Sequence, residues 1–154
     1  MKSIEIWLSE YGQSHTHPTN KSIHWVAVPV IYLTVIGFMW DIPRPEAFAG
    51  PWLNWATLIA VPILMFYFMQ SVVVGVAMTG FTLVCILLVA WFDQFQWMPV
   101  SLLSLILFVI MWVLQFYGHH IEGKKPSFFK DIQFLLIGPM WLMAFILKRL
   151  KIAY

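Results

Sequence analysis

The sequence predicts an all-α integral membrane protein: a four-transmembrane-helix bundle with an N-terminal amphipathic helix and a C-terminal helix that is re-entrant or interfacial. Three observations carry this expectation. Only 10% of the 154 residues are charged and 61% are hydrophobic, whereas a soluble domain averages about 25% charged. The apolar residues gather into four runs, each close to the roughly 20 residues that cross a ~30 Å hydrocarbon core. The breaks between those runs are polar or proline-bearing, as turns outside the hydrocarbon must be.

The elements follow in order within a single domain, residues 1–154. In residues 1–16, Ile4, Trp7, Leu8 and Tyr11 share one side of a helix, and Lys2, Glu5, Ser9 and Glu10 take the other. This segment is too short and too charged to span, so it should lie in the headgroup plane. Glu5 and Glu10 also argue against a cleavable signal core. His15 continues the apolar stripe, and Pro18 disfavours helix at His17, so the helix should stop near Thr16. Thr19 or Asn20 can cap the first span, residues 23–40. Asp41, Pro43, Arg44, Pro45 and Glu46 form a loop before the second span, 52–69. Only Gln70 and Ser71 separate it from the third, 72–92. "DQFQWMP" from Asp93 leads to the fourth, 100–118. The last apolar stretch, within 128–147, has Gly138-Pro139 at its middle and suits a re-entrant or surface helix better than a crossing.

Several function classes are excluded at this stage. A net charge of +2 with no basic run gives no footprint for nucleic acid. The single cysteine, Cys85, lies inside an apolar run and can form no internal disulfide. Neither a Gly-rich phosphate loop, a CxxC pair nor a Gly-x-Ser-x-Gly elbow is present.

The histidines are the unexpected feature. Three stand in "YGQSHTHPTNKSIH", Tyr11 to His24, and two in "GHHIEGKKP" from Gly118. Four crossings separate the two stretches, so all five should share one membrane face. Lys2, Lys21, Lys124, Lys125 and Lys130 fall on that face and only Arg44 on the other, which makes it cytoplasmic. Lys148, Arg149 and Lys151 prefer the same side, which disfavours a fifth crossing. Trp40, Trp52, Trp55, Trp91 and Trp97 would belt the opposite interface.

His15 and His24 are nine residues apart, so on one straight helix they would point about 180° apart at ~100° per residue. The His17-Pro18 break instead allows a corner that turns both imidazoles inward. Gln115, His119 and Glu122 share a face at the end of the fourth span, where Gly123 is a natural stop. His17 reads as a surface residue. Ionisable groups gathered at membrane depth are expensive and point to function. Imidazoles with a carboxylate suit iron or zinc, and two or three histidines with open positions suit an oxygen-activating ferrous centre. Tyr11 and Asn20 read equally as a helix anchor and a cap or as partners of the imidazoles. A b-type haem protein, a non-enzymatic membrane scaffold and a zinc membrane hydrolase are the alternatives.

Tyr11, His15, Asn20 and His24 fit the pattern Tyr-x3-His-x4-Asn-x3-His, and "QFYGHHIEGKKP" supplies a second motif. With these the chain resembles the ferrous-iron-dependent 2-hydroxy fatty acid dioxygenases, over nearly its whole length. The resemblance implies Fe2+ as cofactor, with a 2-hydroxy fatty acid and O2 as substrates. It implies loss of one carbon by α-oxidation without 2-oxoglutarate. In fungal members this serves sphingolipid breakdown at the endoplasmic reticulum; a compact chain like this one points to a bacterial inner membrane. His15, His24 and His119 are implied as metal ligands, with His120 as a further candidate, and Glu122 as completing the shell or acting in catalysis. Asn20, Gln115 and Tyr11 would orient the imidazoles, and Lys21, Lys124 or Lys125 would draw in the substrate carboxylate. The acyl tail would run among Trp25, Phe116 and their neighbours. Membrane lipid is an expected partner, and a homo-oligomer is left open.

Overall fold

The structure is a computed structural model that describes residues 3–48, 50, 52–126 and 133–154. Among these residues it is all-helical, with no strand. Six helices follow in order: α1 (Ile4–Gly12), α2 (Pro18–Trp40), α3 (Trp55–Gln70), α4 (Val72–Asp93), α5 (Val100–Glu122) and α6 (Phe134–Arg149).

Three helices, α2, α4 and α5, are long and apolar enough to cross a membrane, at 23, 22 and 23 residues. The second expected span, 52–69, is a shorter helix. Asn54 caps α3 and Thr57 bonds back to it in a reciprocal capping box, so the helix begins at Trp55 rather than 52 and has 16 residues. The turn after it falls on Gln70 and Ser71 as expected. Ser71 is extended and ends α3, while its side chain accepts the Val74 N–H to start α4. Outward-facing Val61, Met65, Val76, Leu87, Val109 and Val113 are all exposed. So much apolar surface on a small chain needs lipid rather than water around it.

Other helix ends also differ from the sequence expectation: α5 runs on to Glu122, beyond 118, and α6 to Arg149, beyond 147. α1 ends at Gly12 instead of Thr16, because the chain tightens into three-residue turns, with the Ser14 and His15 N–H groups bonding Tyr11 O and Gly12 O. α2 begins at Pro18, with His17 as its cap; the His17 ring accepts the Thr19 N–H at 3.2 Å. Proline is at home in the first helical position, where its missing N–H costs nothing. Asn20 is thereby inside the helix, not its cap, and is fully buried.

α2 and α5 form the most extensive helix pair and run antiparallel. At one end the Asp41 carboxylate accepts the Ser101 N–H at 2.6 Å, and Trp40 Nε1 donates to Asp93 at 3.2 Å. At the other end Gly118 of α5 lies against the Asn20 side chain. Two glycines permit this approach: a Cβ on Gly37 would collide with Ser104 Oγ, and one on Gly118 with Asn20 Oδ1. Replacing Gly37 with alanine should therefore force the helices apart. A loss of about 1–3 kcal/mol is expected, as for other overpacked sites, read as a lower midpoint of thermal unfolding in detergent.

α6 stays at the end where α2 begins and α5 finishes. Phe134 packs on Trp7 and Tyr11, Tyr67 donates to Leu136 O at 3.0 Å, Gly138 faces Tyr11 and Val28, and Phe145 meets Trp25. It is one continuous helix through Gly138 and Pro139, and residues 128–132 of the expected element lie outside the described ones.

Candidate metal centre

The corner between α1 and α2 folds the first two motif histidines onto the end of α5. The ring centroids of His15 and His24 are 4.3 Å apart, and each lies 5.0 Å from that of His119. All three are buried, and one ligand atom from each lies within 4.8 Å of the others. Two sequence stretches separated by most of the chain thus meet at a single point.

Backbone carbonyls decide which nitrogens face that point. His15 Nδ1 sits 2.6 Å from Tyr11 O, and His24 Nδ1 sits 2.9 Å from Asn20 O. A carbonyl can only accept, so both Nδ1 atoms carry their hydrogen and both Nε2 atoms present a lone pair. This is the arrangement that orients a metal-binding imidazole and raises its basicity. His15 Nε2 and His119 Nδ1 are buried without a hydrogen-bond partner. A buried polar atom left unmet costs roughly 1–3 kcal/mol, so the cluster fits an ion that would satisfy these atoms together. Burial, and then the neighbouring His24, pull the His15 imidazolium down to about 3, so the ring is neutral and ready to bind at pH 7.

Packing holds the donors in place. The Tyr11 ring stacks on His15 at 4.1 Å and 11°, and Trp141 of α6 tilts against both rings. Burial raises the Tyr11 phenol above its ordinary value, which keeps it protonated. Asn20 spans the corner, its Nδ2 donating to Ser14 O at 3.1 Å and to Glu122 Oε2 at 3.2 Å. Glu122 accepts more than that: the Thr16 N–H at 2.9 Å, the Thr16 hydroxyl and the His17 N–H at 2.8 Å. Lys124 Nζ donates to Gln13 O at 2.6 Å, a second tie from the end of α5 to the corner. Gly123 stops α5 with φ +69°, a conformation that favours glycine.

The remaining expected site residues separate by position. Gln115 is buried and lines a cavity beside His119, one turn before it. His120 follows His119 on the helix, so it turns away, is exposed and is outside the three-histidine group. Glu122 is likewise outside that group, with both carboxylate oxygens occupied at the corner. Lys21 and Lys125 are exposed, and the Lys124 ammonium is on a backbone carbonyl rather than open to an incoming acid. His120→Ala is therefore expected to leave the metal content of the purified protein unchanged, as measured by elemental analysis.

The histidines border a cavity of about 320 Å³ that continues between the helices. Its wall is apolar along α2 (Val28, Ile31), α3 (Ala60, Ile63) and α5 (Phe108, Trp112). Trp25 and Phe116, expected along the tail path, are exposed on the outside of their helices instead. The residues that line the cavity and the Trp141 and Thr16 contacts were not anticipated. The Gly138-Pro139 pair was a visible signal of α6, but nothing in it said which helix that segment would meet.

Three rings meeting at one corner do not flank a plane, so they do not offer the opposed axial pair that a b-type haem requires. The donor set suits iron or zinc. A sequence model of the family described as Mpo1-like, 2-hydroxy-palmitic acid dioxygenase Mpo1-like, matches residues 1–150. Neither a curated protein nor a solved structure gives a significant match.

Proposed function

Because the chain belongs to the Mpo1-like 2-hydroxy-palmitic acid dioxygenase family, we propose that it holds one ferrous ion on His15, His24 and His119 and shortens 2-hydroxy fatty acids by one carbon with O2. The observation that carries this reading is the meeting of three buried imidazoles, two with their outer nitrogens locked, at the head of an apolar cavity. Bound ferrous iron supplies the one-electron chemistry that lets O2 react with a closed-shell acid. The reaction balances as R–CH(OH)–COOH plus O2 giving R–COOH, CO2 and water.

The residues of the chain divide the remaining work. The three histidines hold the ion, and the carbonyl partners of His15 and His24 keep those two rings in place. Gln115, on the cavity wall next to His119, orients the carboxylate or hydroxyl of the acid. Apolar walls exclude water from the reacting end, and Tyr11 and Trp141 shield His15. Exposed Lys21 and Lys125 raise the local concentration of the acid by attraction to its carboxylate.

The same reading places α2 to α5 across a bilayer in four passes, α3 being the short one, with α6 lying at the histidine end. Lys21, Lys124, Lys125, Lys148 and Arg149 are near that end and Arg44 is at the other, so the centre would face the cytoplasm. The decisive experiment is anaerobic purification, loading with Fe2+, and measurement of O2 uptake with 2-hydroxypalmitate. Uptake matched by a 15-carbon acid and CO2 supports the reading. No uptake by iron-loaded protein, or hydrolysis supported by zinc alone, overturns it.

A further inference from the structure

The cavity below the histidines has a definite length; α6 lines it near the histidine end, and α2, α3 and α5 line it along regular stripes. On α2 the lining runs from His24 through Val28 and Tyr32 to Ile36. Twelve residues of helix at 1.5 Å each make about 18 Å, more than half of a ~30 Å hydrocarbon core. On α5 the lining runs from His119 back to Phe108 and goes no further. On α3 it ends at Ala56, which is fully buried.

What closes the far end is the contact described above. Gly37 follows Ile36 and lies against Ser104 and Val100 so closely that even a Cβ would not fit. α2 and α5 therefore touch directly below Ile36, and nothing can pass between them. The side wall is more open where Val35 of α2 and Ile59 of α3 line the cavity and are also exposed, at 38% and 42%. Among the polar wall groups, Thr82 donates to Met78 O at 2.7 Å, so the 2.7 Å bond between the hydroxyls of Tyr32 and Thr82 has Tyr32 as donor. Both hydroxyl hydrogens are thus used within the protein.

We propose that this cavity gauges tail length: a straight aliphatic chain lies along α2 with its acid end at the histidines and its methyl end against Ile36 and Ala56. The chain slips in sideways from the bilayer through the gap beside Val35 and Ile59. The proposal rests on the functional reading above, since the acid end is placed by that reading, but the cavity can be tested without turnover.

The direct test uses 2-hydroxyhexadecanoic acid carrying a diazirine next to its terminal methyl, photolysed with the full-length protein in lipid nanodiscs. Peptides containing Ile36, Ala56 or Phe108 should carry the adduct, and excess 2-hydroxypalmitate should prevent it. Adducts confined to lipid-facing positions such as Val61 and Val113, unaffected by competitor, would overturn the proposal. The second test is a length profile. Ala56→Leu should raise the ratio of kcat/KM for 2-hydroxyoctanoate to that for 2-hydroxypalmitate at least tenfold, and Ile36→Ala should shift the optimum to longer chains. An unchanged ratio in a folded variant would overturn it; if Ala56→Leu fails to fold, the Ile36→Ala profile and the adduct map decide. Labelling at the floor without any turnover of any 2-hydroxy acid would instead fault the functional reading and leave the gauge standing.

Discussion

Replacing His24 with alanine is expected to remove the metal and end turnover together. His24 is 1% exposed, and its Nδ1 is held by Asn20 O, so its Nε2 has no partner to find except at the meeting point of the three rings. No carboxylate belongs to the group among the described residues, so no other donor is in place to substitute. Removing a residue that merely orients a ligand typically costs 10- to 100-fold in metal affinity, and removal of the ligand itself should exceed that. Elemental analysis should fall from about one iron per chain to background, with O2 uptake lost in proportion. His15→Ala and His119→Ala should behave alike. A variant retaining full metal and activity would remove His24 from the centre.

The second large effect is expected at Glu122, and its pattern separates two roles. A carboxylate that acted in the reaction or bound the ion would, on removal, destroy turnover and leave the fold alone. The structure makes it a clasp: it gathers the N–H groups of Thr16 and His17, the Thr16 hydroxyl and the Asn20 amide, and so pins the corner that carries His15 to the end of α5. Hydrogen bonds to a charged group are each worth about 1.5–3 kcal/mol; with Thr16 and His17 exposed, the ensemble should contribute on the order of 3 kcal/mol. Glu122→Ala should accordingly lower the unfolding midpoint and weaken iron binding about 10- to 100-fold. At saturating iron, turnover per bound ion should return most of the way to that of the parent. Lost turnover with full metal and an unchanged midpoint would restore a catalytic role for Glu122.

Much of this architecture could be read from hydropathy and punctuation. The turn at Gln70-Ser71 and the stop at Gly123 each follow from local chemistry. The expectation that the two histidine stretches share an end mattered most, and the rings of His24 and His119 lie 5.0 Å apart. Other features depended on contacts that no local rule encodes. The shortening of α3 comes from a cap at Asn54 that looks like any loop asparagine. Glu122 and Lys124 were assigned to chemistry because charge near a metal motif invites it, whereas their partners, Thr16 and Gln13, lie more than a hundred residues earlier. Trp25 and Phe116 do not line the cavity, for a related reason. They are adjacent in sequence to His24 and Gln115, yet one step around a helix turns them outward, and the inner wall belongs to residues at spacings of three and four.

The division of the three donors between the first and last parts of the bundle also has a consequence for biogenesis. A ribosome delivers His15 and His24 together, on a corner that can form as soon as α2 is inserted. His119 sits near the end of α5 and arrives only after the intervening helices are in place. Until α5 docks on α2 at Gly37 and Gly118, the nascent chain offers two imidazoles and no clasp. On the proposed centre, complete coordination would therefore be a late event, with all three donors together only once α5 has docked on α2.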